Sequence, residues 1–432
     1  MITDYSSAIE KYTPSSEERK KLSSISDKAR DFIDSYCSSE GIDADAVLVG
    51  SVAKGTNLKG ADLDLFIRFD RKYSRKEMET LGLDIGHKVL SNGIERYAEH
   101  PYVTGFMEGV KLDLVPCYRI LPGQKKVSSV DRTPLHTEYV KTNLDRSQLS
   151  DVLLLKVFAK SIGVYGSEVT TSGFSGYICE ILVIEYGSFV NVLKTFAGWK
   201  GSFKLGKNEY VGKFRDPVII IDPVDDDRNA AAAISRENLS RMILASKLFL
   251  KGKEKDFFNL ERPMGPFKRD DRGTAIRIFS VPRPDLIDDV IYPQALRMKN
   301  SICSILEREG FEPMDSEVEV SDRVRILIEC RRDRPPSFVL HRGPPVDSDN
   351  VLDFIETWKH RYVLRGPYIK EDRLYIDLKG GRKSIEEAVL GDIGPLNIGK
   401  SLNRYKREIG IESPDLSAED PLLQRFLARG LF

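Results

Sequence analysis

Cysteine is scarce in this sequence, and its spacing forms no framework. Cys37, Cys117, Cys179, Cys303 and Cys330 are scattered, with no C-x-x-C pair and no histidine at metal-like spacing. The pattern argues against a zinc site or a disulfide scaffold and for reduced thiols. Long hydrophobic runs are missing too. The most apolar stretch, YICEILVIEYGSFVNVL, is interrupted by Glu180 and Glu185, so no run of ~20 apolar residues is available to span a bilayer. The amino-terminal MITDYSSAIEKYTPSSEERKK has no apolar signal core. Together these absences predict a soluble cytoplasmic protein with no membrane partner. No sign of charge dominates either, because 66 basic residues balance 66 acidic ones. A nucleic-acid-binding surface therefore has to be local and offset by acid elsewhere. Repeats and low-complexity tracts are absent.

What is present is enough chain for about three domains at ~150 residues each, with 41% hydrophobic residues to build their cores. SSEERKKLSSISDKARDFIDSYC has helical spacing, with Ser15 or Ser16 as its cap. AVLVG (46–50) and DLDLFIRF (62–69) read as strands. GLDIGHKVLSNGIERYA reads as a second helix, and GVKLDLVPCY (109–118) as a third strand. The first ~120 residues thus form a compact α/β unit. Thr133 before Pro134 predicts a capped helix start. SQLSDVLLLKVFAKSIG, SGYICEILVIEYGSFVNVLKTF and RNAAAAISRENLSRMILASKLFL, the last ended by KGKEK, read as three strong helices. The last third mixes strands (VEVSDRVRILIECRRD, DRLYIDLKG) with a helix (SDNVLDFIETWKHRYV). Its proline-rich stretches 332–336 and 343–346 read as joints or turns.

The chemistry concentrates in GSVAKGTNLKGADLDLFIRF (50–69). In a strand, residues two apart share a face, so Asp62 and Asp64 point one way while Leu63, Leu65 and Ile67 point to the core. Two carboxylates so close repel unless a cation lies between them. Hard oxygen ligands suit Mg²⁺. Asp113, flanked by Leu112 and Leu114, joins the same face if its strand lies beside the first. Three such carboxylates can hold two metal ions ~4 Å apart for phosphoryl chemistry. Gly50 and Ser51 end a strand and open a turn whose N–H groups and hydroxyl can cradle phosphate, and Lys54 adds positive charge one turn on. A solvated strand face and an ordinary serine cap are the structural alternatives.

GSVAKGTNLKGADLDLFIRF with KLDLVP resembles the nucleotidyltransferase superfamily of DNA polymerase β type. HTEYV, SGFSGYICEIL (172–182), DPVDDDRNAA (222–231) and HRGPPV (341–346), in order along nearly the whole chain, narrow the resemblance to the archaeal-type (class I) CCA-adding enzymes, tRNA nucleotidyltransferases that build or repair the tRNA 3′ end. The resemblance implies an α+β multidomain protein. Residues 1–132 would form a polymerase β-like catalytic domain, 133–257 a mainly helical nucleotide-recognition domain, and 258–432 a mixed α/β tRNA-binding region and tail. It implies stepwise addition of C, C and A from CTP and ATP, without a nucleic-acid template, by two-metal (Mg²⁺) chemistry. Asp62, Asp64 and Asp113 would be the metal ligands and Asp113 the group nearest the attacking hydroxyl.

Further roles follow only from the resemblance. His136, Lys156 and Tyr165 match positions that contact the nucleotide. Read alone, they are a surface histidine, a solvated lysine and a core or turn tyrosine. Arg228 would help select CTP and ATP, with Asp225 beside it. Asp225 to Asp227 could otherwise cap an AAAAI helix, where Arg228 would meet an unfavourable dipole. In SGFSGYICEIL, Gly173, Phe174, Gly176 and Tyr177 suit either a loop against the nucleotide or tRNA end, or a tight interhelical joint. KHRYVLRGPYIKEDRLYIDLKGGRK (359–383) carries eight Lys/Arg against three Asp/Glu. Arg361, Arg365, Lys370 and Arg373 are its candidate phosphate contacts, although charge runs also occur as solvated faces. The partners implied are tRNA, at its acceptor stem and elbow, and a second copy in a homodimer. A poly(A) polymerase, an oligoadenylate synthetase or a catalytically inactive RNA-binding protein remain the alternatives.

Overall fold

The structure, a computed structural model, describes residues 5–97, 99–120, 124, 128, 130–252, 257–260, 272–335, 337–380, 384–391, 393–415 and 420–429. The chain divides into two compact units, residues 1–262 and 263–431.

In the first unit, a 3-10 turn at Ser6–Tyr12 precedes helix α1 (Ser16–Ser39). Ser15 caps α1 by accepting the Glu18 N–H, as its position predicts. Strand β1 (Ala44–Val49), the short helix α2 (Gly50–Lys54) and strand β2 (Leu63–Phe69) follow. Helix α3 spans Arg75–Val89, and then come β3 (Ile94–Tyr97), β4 (Pro101–Met107) and β5 (Val110–Tyr118). The helix expected over 82–98 therefore starts and ends earlier. A Ser74/Glu77 capping box starts it. It stops because Gly93 packs so tightly on Val103 that a Cβ there would lie 2.4 Å from that side chain, and the chain turns into the β3–β4 hairpin. The five strands run in the order β1-β2-β5-β4-β3. β2 pairs parallel with β5, and the other pairs are antiparallel. Ile25, Ala29 and Ile33 of α1 and Met78 and Ile85 of α3 bury one face of the sheet against Leu63, Leu65, Ile67 and Leu114. The opposite face, on the other parity of β2, carries Asp64.

Helices α4 (Arg132–Asn143), α5 (Leu149–Ser161), α6 (Gly176–Tyr186) and α7 (Phe189–Gly198) come next. Strand β6 (Phe203–Leu205), helix α8 (Asn208–Val211), strands β7 (Val218–Asp222) and β8 (Asp225–Asn229) and helix α9 (Arg236–Leu250) complete the unit. Three expectations change here. Thr133 is not the cap of α4: Asp131 holds that position, and its carboxylate accepts the Tyr118 and Ser128 N–H groups instead. The long helix over 175–196 is two helices bent by 91°, broken where Gly187 turns left-handed and Ser188 caps α7. The helix expected from residue 228 begins only at Arg236. Before it, Asn229 spends its side chain on Ile220 N–H, Ala231 N–H, the Val218 carbonyl and Asp216. Those bonds commit 225–229 to a strand, so Asp225 to Asp227 cap nothing and no helix dipole acts on Arg228. Part of the KGKEK segment lies outside the described residues.

The helical core of α5, α6, α7 and α9 is separate from that of the five-stranded sheet, and Ile9 joins it. Among the described residues no single helix is long and apolar enough to cross a membrane, and the one apolar pair, α6 with α7, is the bent one. All five cysteines are free.

The second unit has a four-stranded sheet of β9 (Ala275–Pro282), β10 (Pro313–Val320), β11 (Arg323–Cys330) and β15 (Gly410–Glu412), in the order β10-β11-β9-β15. Helices α10 (Asp288–Arg308) and α12 (Ile385–Leu390) cover one face, and α13 (Pro421–Leu427) packs on the other. A second sheet, β12 (Phe338–Pro345), β14 (Arg373–Lys379) and β13 (Arg365–Lys370), runs β12-β14-β13 beside α11 (Val351–Lys359). The prolines at 344–345 end β12 at a bulge.

Candidate active site

The site begins with a register. Parallel pairing of β2 with β5 sets Asp64 opposite Asp113, while antiparallel pairing sets Val49 opposite Asp64 and Thr104 opposite Asp113. Asp62 stands just before β2 and is exposed. Gly50 has φ +72°, and a Cβ there would lie 2.3 Å from Asp64 Oδ2. Only glycine fits both the left-handed backbone and the carboxylate beside it. On the far side Thr104 donates its hydroxyl to Asp113 Oδ1. The Lys111 ammonium reaches Asp62 Oδ2 at 2.8 Å and Asp113 Oδ2 at 3.4 Å.

Burial first, and then the charges of Asp113 and Asp62, push the Asp64 carboxyl up to about 6. Like charges crowded on one edge are what a divalent ion would relieve, and hard oxygen donors suit one. The residues present therefore fit a metal in chemistry. Among the described residues, however, no group of three His, Cys, Asp or Glu stands close enough to hold an ion as it is, and Lys111 engages two of the acids.

Behind the Gly50 turn lies a buried ionic cluster. Glu180 of α6, fully buried, accepts from Lys54 at 2.5 Å through Oε2 and from Thr56 through Oε1. Lys156 of α5, 1% exposed, donates to the Thr56 carbonyl at 2.8 Å and to Glu180 Oε1 at 3.2 Å. Burial opposes the Glu180 charge, but the two ammonium groups outweigh it and hold the carboxyl below its ordinary range. Lys156 is thus neither solvated nor open to solvent, and the side chain of Lys54 is only 7% exposed. Tyr165 stands beside this cluster. A Cβ on Gly176 would lie 3.1 Å from its hydroxyl and 3.3 Å from Lys156 Nζ. Gly173 abuts the Val164 carbonyl, Phe174 is core, and Ser175 caps α6, so much of SGFSGYICEIL is a packed joint.

A third cluster continues the surface. Lys54 lies over the Tyr177 ring, and Tyr177 stacks on His136 with centroids 4.0 Å apart. Asp222, fully buried, accepts from Tyr177 at 3.1 Å, from Arg228 Nη1 at 2.7 Å and from the Val224 N–H at 3.1 Å, and contacts His136 Nε2 at 2.8 Å. Burial would raise the Asp222 pKa, but these hydrogen bonds and the His136 charge hold it at about 2. Arg132 pairs with Asp225 at 2.7 Å. A row of polar groups therefore runs from the acid edge through Lys54, Tyr177 and His136 to Arg228.

In the second unit, Arg361 lies over Trp358, and exposed Arg365 pairs with Asp377 at 2.9 Å. Lys370 is exposed, and Arg373 donates one nitrogen to the Gly343 carbonyl. Residues 381–383 of the basic stretch lie outside the described residues.

Sequence reading missed Thr104, Lys111, Thr56, Glu180, Asp222 and Arg132 as parts of the site. Two had a signal. Lys111 precedes Asp113 by two residues and so shares its face. Glu180, an acid inside an apolar helix, demands a buried cation. Thr104 had none, because β4 itself was not recognised.

Three family models match the chain. They are described as "Nucleotidyltransferase domain" over residues 29–136, "tRNA nucleotidyltransferase, second domain" over 150–259 and "CCA-adding enzyme, C-terminal domain" over 272–408. The CCA-adding enzymes of Thermoplasma volcanium and Thermoplasma acidophilum are each 49% identical over 100% of this chain and 98% and 100% of theirs. That of Picrophilus torridus is 48% identical over 100% of both. Among solved structures, Cid1, titled for its RNA terminal uridylyl transferase activity, has a TM-score of 0.46 at 17% identity, covering 60% of this chain and 96% of its own.

Two substitutions test the geometry. Gly50→Ala drives a Cβ into the Asp64 carboxylate, and a displacement near 1 Å is expected to cut nucleotide incorporation about 100-fold. Incorporation within twofold of wild type would show that Asp64 tolerates the move. Glu180→Gln leaves two buried ammonium groups without a counter-charge and is expected to lose about 3 kcal/mol in urea-induced unfolding. An unchanged midpoint would mean that the cluster contributes nothing to stability.

Proposed function

The chain belongs to the CCA-adding enzyme family, and we propose that it adds C, C and A to the tRNA 3′ end from CTP and ATP at the edge formed by Asp62, Asp64 and Asp113. As a nucleotidyltransferase it works on nucleoside triphosphates with a divalent metal. Mg²⁺ held by the three aspartates is the specific reading. Bound there, the metal would supply charge for the triphosphate and acidify the 3′-hydroxyl. The single observation that carries this is the register that aligns Asp64 with Asp113, with Gly50 pressed against the Asp64 carboxylate.

The chain's own residues have separable tasks. The N–H groups of the Gly50-Ser51 turn, with the Ser51 hydroxyl, receive phosphate oxygens. Thr104 fixes one oxygen of Asp113, and the other, which Lys111 reaches, is the one nearest the attacking hydroxyl. The 3′-oxygen loses its proton and bonds to the α-phosphorus as pyrophosphate leaves, so no covalent enzyme intermediate is needed. His136 and Tyr177, stacked and anchored on Asp222, form a flat wall for the nucleotide. Tyr165 and Lys156 support it from behind. Arg228, held by Asp222, presents its guanidinium to the base edge, with Asp225 steadied by Arg132. Arg361, Arg365, Lys370 and Arg373 meet tRNA phosphates.

Residues 1–132, 133–257 and 258–432 act as catalytic, nucleotide-recognition and tRNA-binding domains. The separate cores of the sheet and of the helices support the first division. Free cysteines are in keeping with a cytoplasmic site of action. A homodimer rests on the family resemblance alone.

A tRNA lacking its last three nucleotides is expected to gain two C residues with CTP alone and to stop after one A when ATP is added. A run of A, or no labelled product, would overturn the reading in favour of a poly(A) polymerase or an inactive RNA-binding protein. Asp62→Ala, Asp64→Ala and Asp113→Ala are each expected to abolish addition while tRNA still binds in a gel-shift assay. Arg228→Ala should raise the KM for CTP and ATP at least tenfold with tRNA affinity unchanged. Loss of tRNA binding with normal nucleotide use would reverse its role.

A further inference from the structure

Among the described residues, Lys111 is the cation that touches the acid edge directly. Its ammonium lies 2.8 Å from Asp62 Oδ2 and 3.4 Å from Asp113 Oδ2. These are oxygens that a divalent ion bridging the two strands would also need. An ammonium donates to the same lone pairs that a metal takes, so the two cations exclude one another there. The lysine sits on β5 two residues before Asp113, on the same face, and no core packing holds its tip. Its side chain is 39% exposed. With Tyr102, Thr104 and Arg96 it lines a cavity of about 640 Å³ beside the β3–β4 hairpin, which gives the ammonium room to leave the acids without unfolding anything.

We propose that Lys111 is an internal counter-cation that competes with the divalent metal for Asp62 and Asp113. It makes the acid edge a weak site for free metal and a stronger one for metal that arrives with a nucleoside triphosphate. The triphosphate brings its own oxygen ligands and compensates for those that Lys111 withholds. Lys111 is in this sense a positioning residue, acting through the aspartates. This inference rests on the reading that Asp62, Asp64 and Asp113 hold the metal.

The test is Mn²⁺ binding to the full chain without nucleotide, with free ion followed by electron paramagnetic resonance. Lys111→Met keeps the aliphatic stem and removes the charge, and is expected to bind Mn²⁺ about five-fold more tightly than wild type. Lys111→Arg keeps the charge and should stay within about twofold. Adding CTP should narrow the gap between Lys111→Met and wild type. Equal or weaker Mn²⁺ binding by Lys111→Met overturns the competition, and a gap that CTP leaves unchanged overturns the coupling to nucleotide. The Asp64→Asn/Asp113→Asn double variant separates the two readings. If it loses Mn²⁺ binding while Lys111→Met matches wild type, the role of the lysine fails and the metal site stands. If it binds Mn²⁺ as wild type does, both fall.

Discussion

Two carboxylates set side by side by a parallel strand pairing are the constraint around which the catalytic sheet is organised. Register alone brings Asp64 against Asp113, and a protein interior does not accept that repulsion without compensation. The surroundings supply it in pieces. Thr104 donates to one oxygen of Asp113, Lys111 reaches another, and Gly50 removes the Cβ that would force Asp64 aside. Burial first, and then the neighbouring charges of Asp113 and Asp62, keep the Asp64 pKa raised. The sheet can hold this charge because its other face is an ordinary apolar core under α1 and α3. Stability and chemistry are thus divided between the two parities of one strand.

The same logic explains the position of the ionic cluster. The helix that begins at Gly50 is only five residues long, so its placement depends on what lies behind it. Lys54 and Thr56, just after the turn, are tied to Glu180 and Lys156 on two helices more than 90 residues away in sequence. A buried ion pair is weak evidence for stability, but here it ties the segment to two helices, because Glu180 accepts from Lys54, Thr56 and Lys156 at once. Through this cluster Lys156 ties the segment after the Gly50 turn to α6, the helix that carries Tyr177.

Much of this was legible in the sequence, and what was not had physical causes. The alternation in DLDLFIRF and KLDLVP revealed both strands, because period-two patterning survives whatever the partner strand is, but the shared face of Asp64 and Asp113 hung on a strand pairing that only the structure supplies. Of the two serines offered as the cap, Ser15 takes the position through a local hydrogen bond. Elements that depend on distant partners were misread. AAAA at 230–233 has the highest intrinsic helix propensity in the chain, yet Asn229 commits the segment to a strand and turn through bonds to β7 and to Asp216. The break between α6 and α7 hid inside an apolar run, because Gly187 acts through its backbone and not through hydropathy. β4 went unseen, and Thr104 with it. Thr133 looked like a cap, but Asp131 was drawn to that position by N–H groups outside the helix.

Arg228 shows how a wrong local reason can precede a defensible role. It was singled out as a cation at an unfavourable helix end, and no helix begins there. Its importance instead follows from Asp222. That carboxylate is fully buried and takes hydrogen bonds from Arg228, Tyr177 and the Val224 N–H while contacting His136. Its folded pKa of about 2 lies below the ordinary carboxylate value. The stability this gives is present above the ordinary value and is lost only as pH falls through about 2. Across the neutral range the anchor therefore stays ionised, and Arg228 and Tyr177 keep their acceptor. A guanidinium reads a hydrogen-bonding partner only if its donors point in a fixed direction. A buried aspartate that is ionised across the neutral range is a means of fixing that direction.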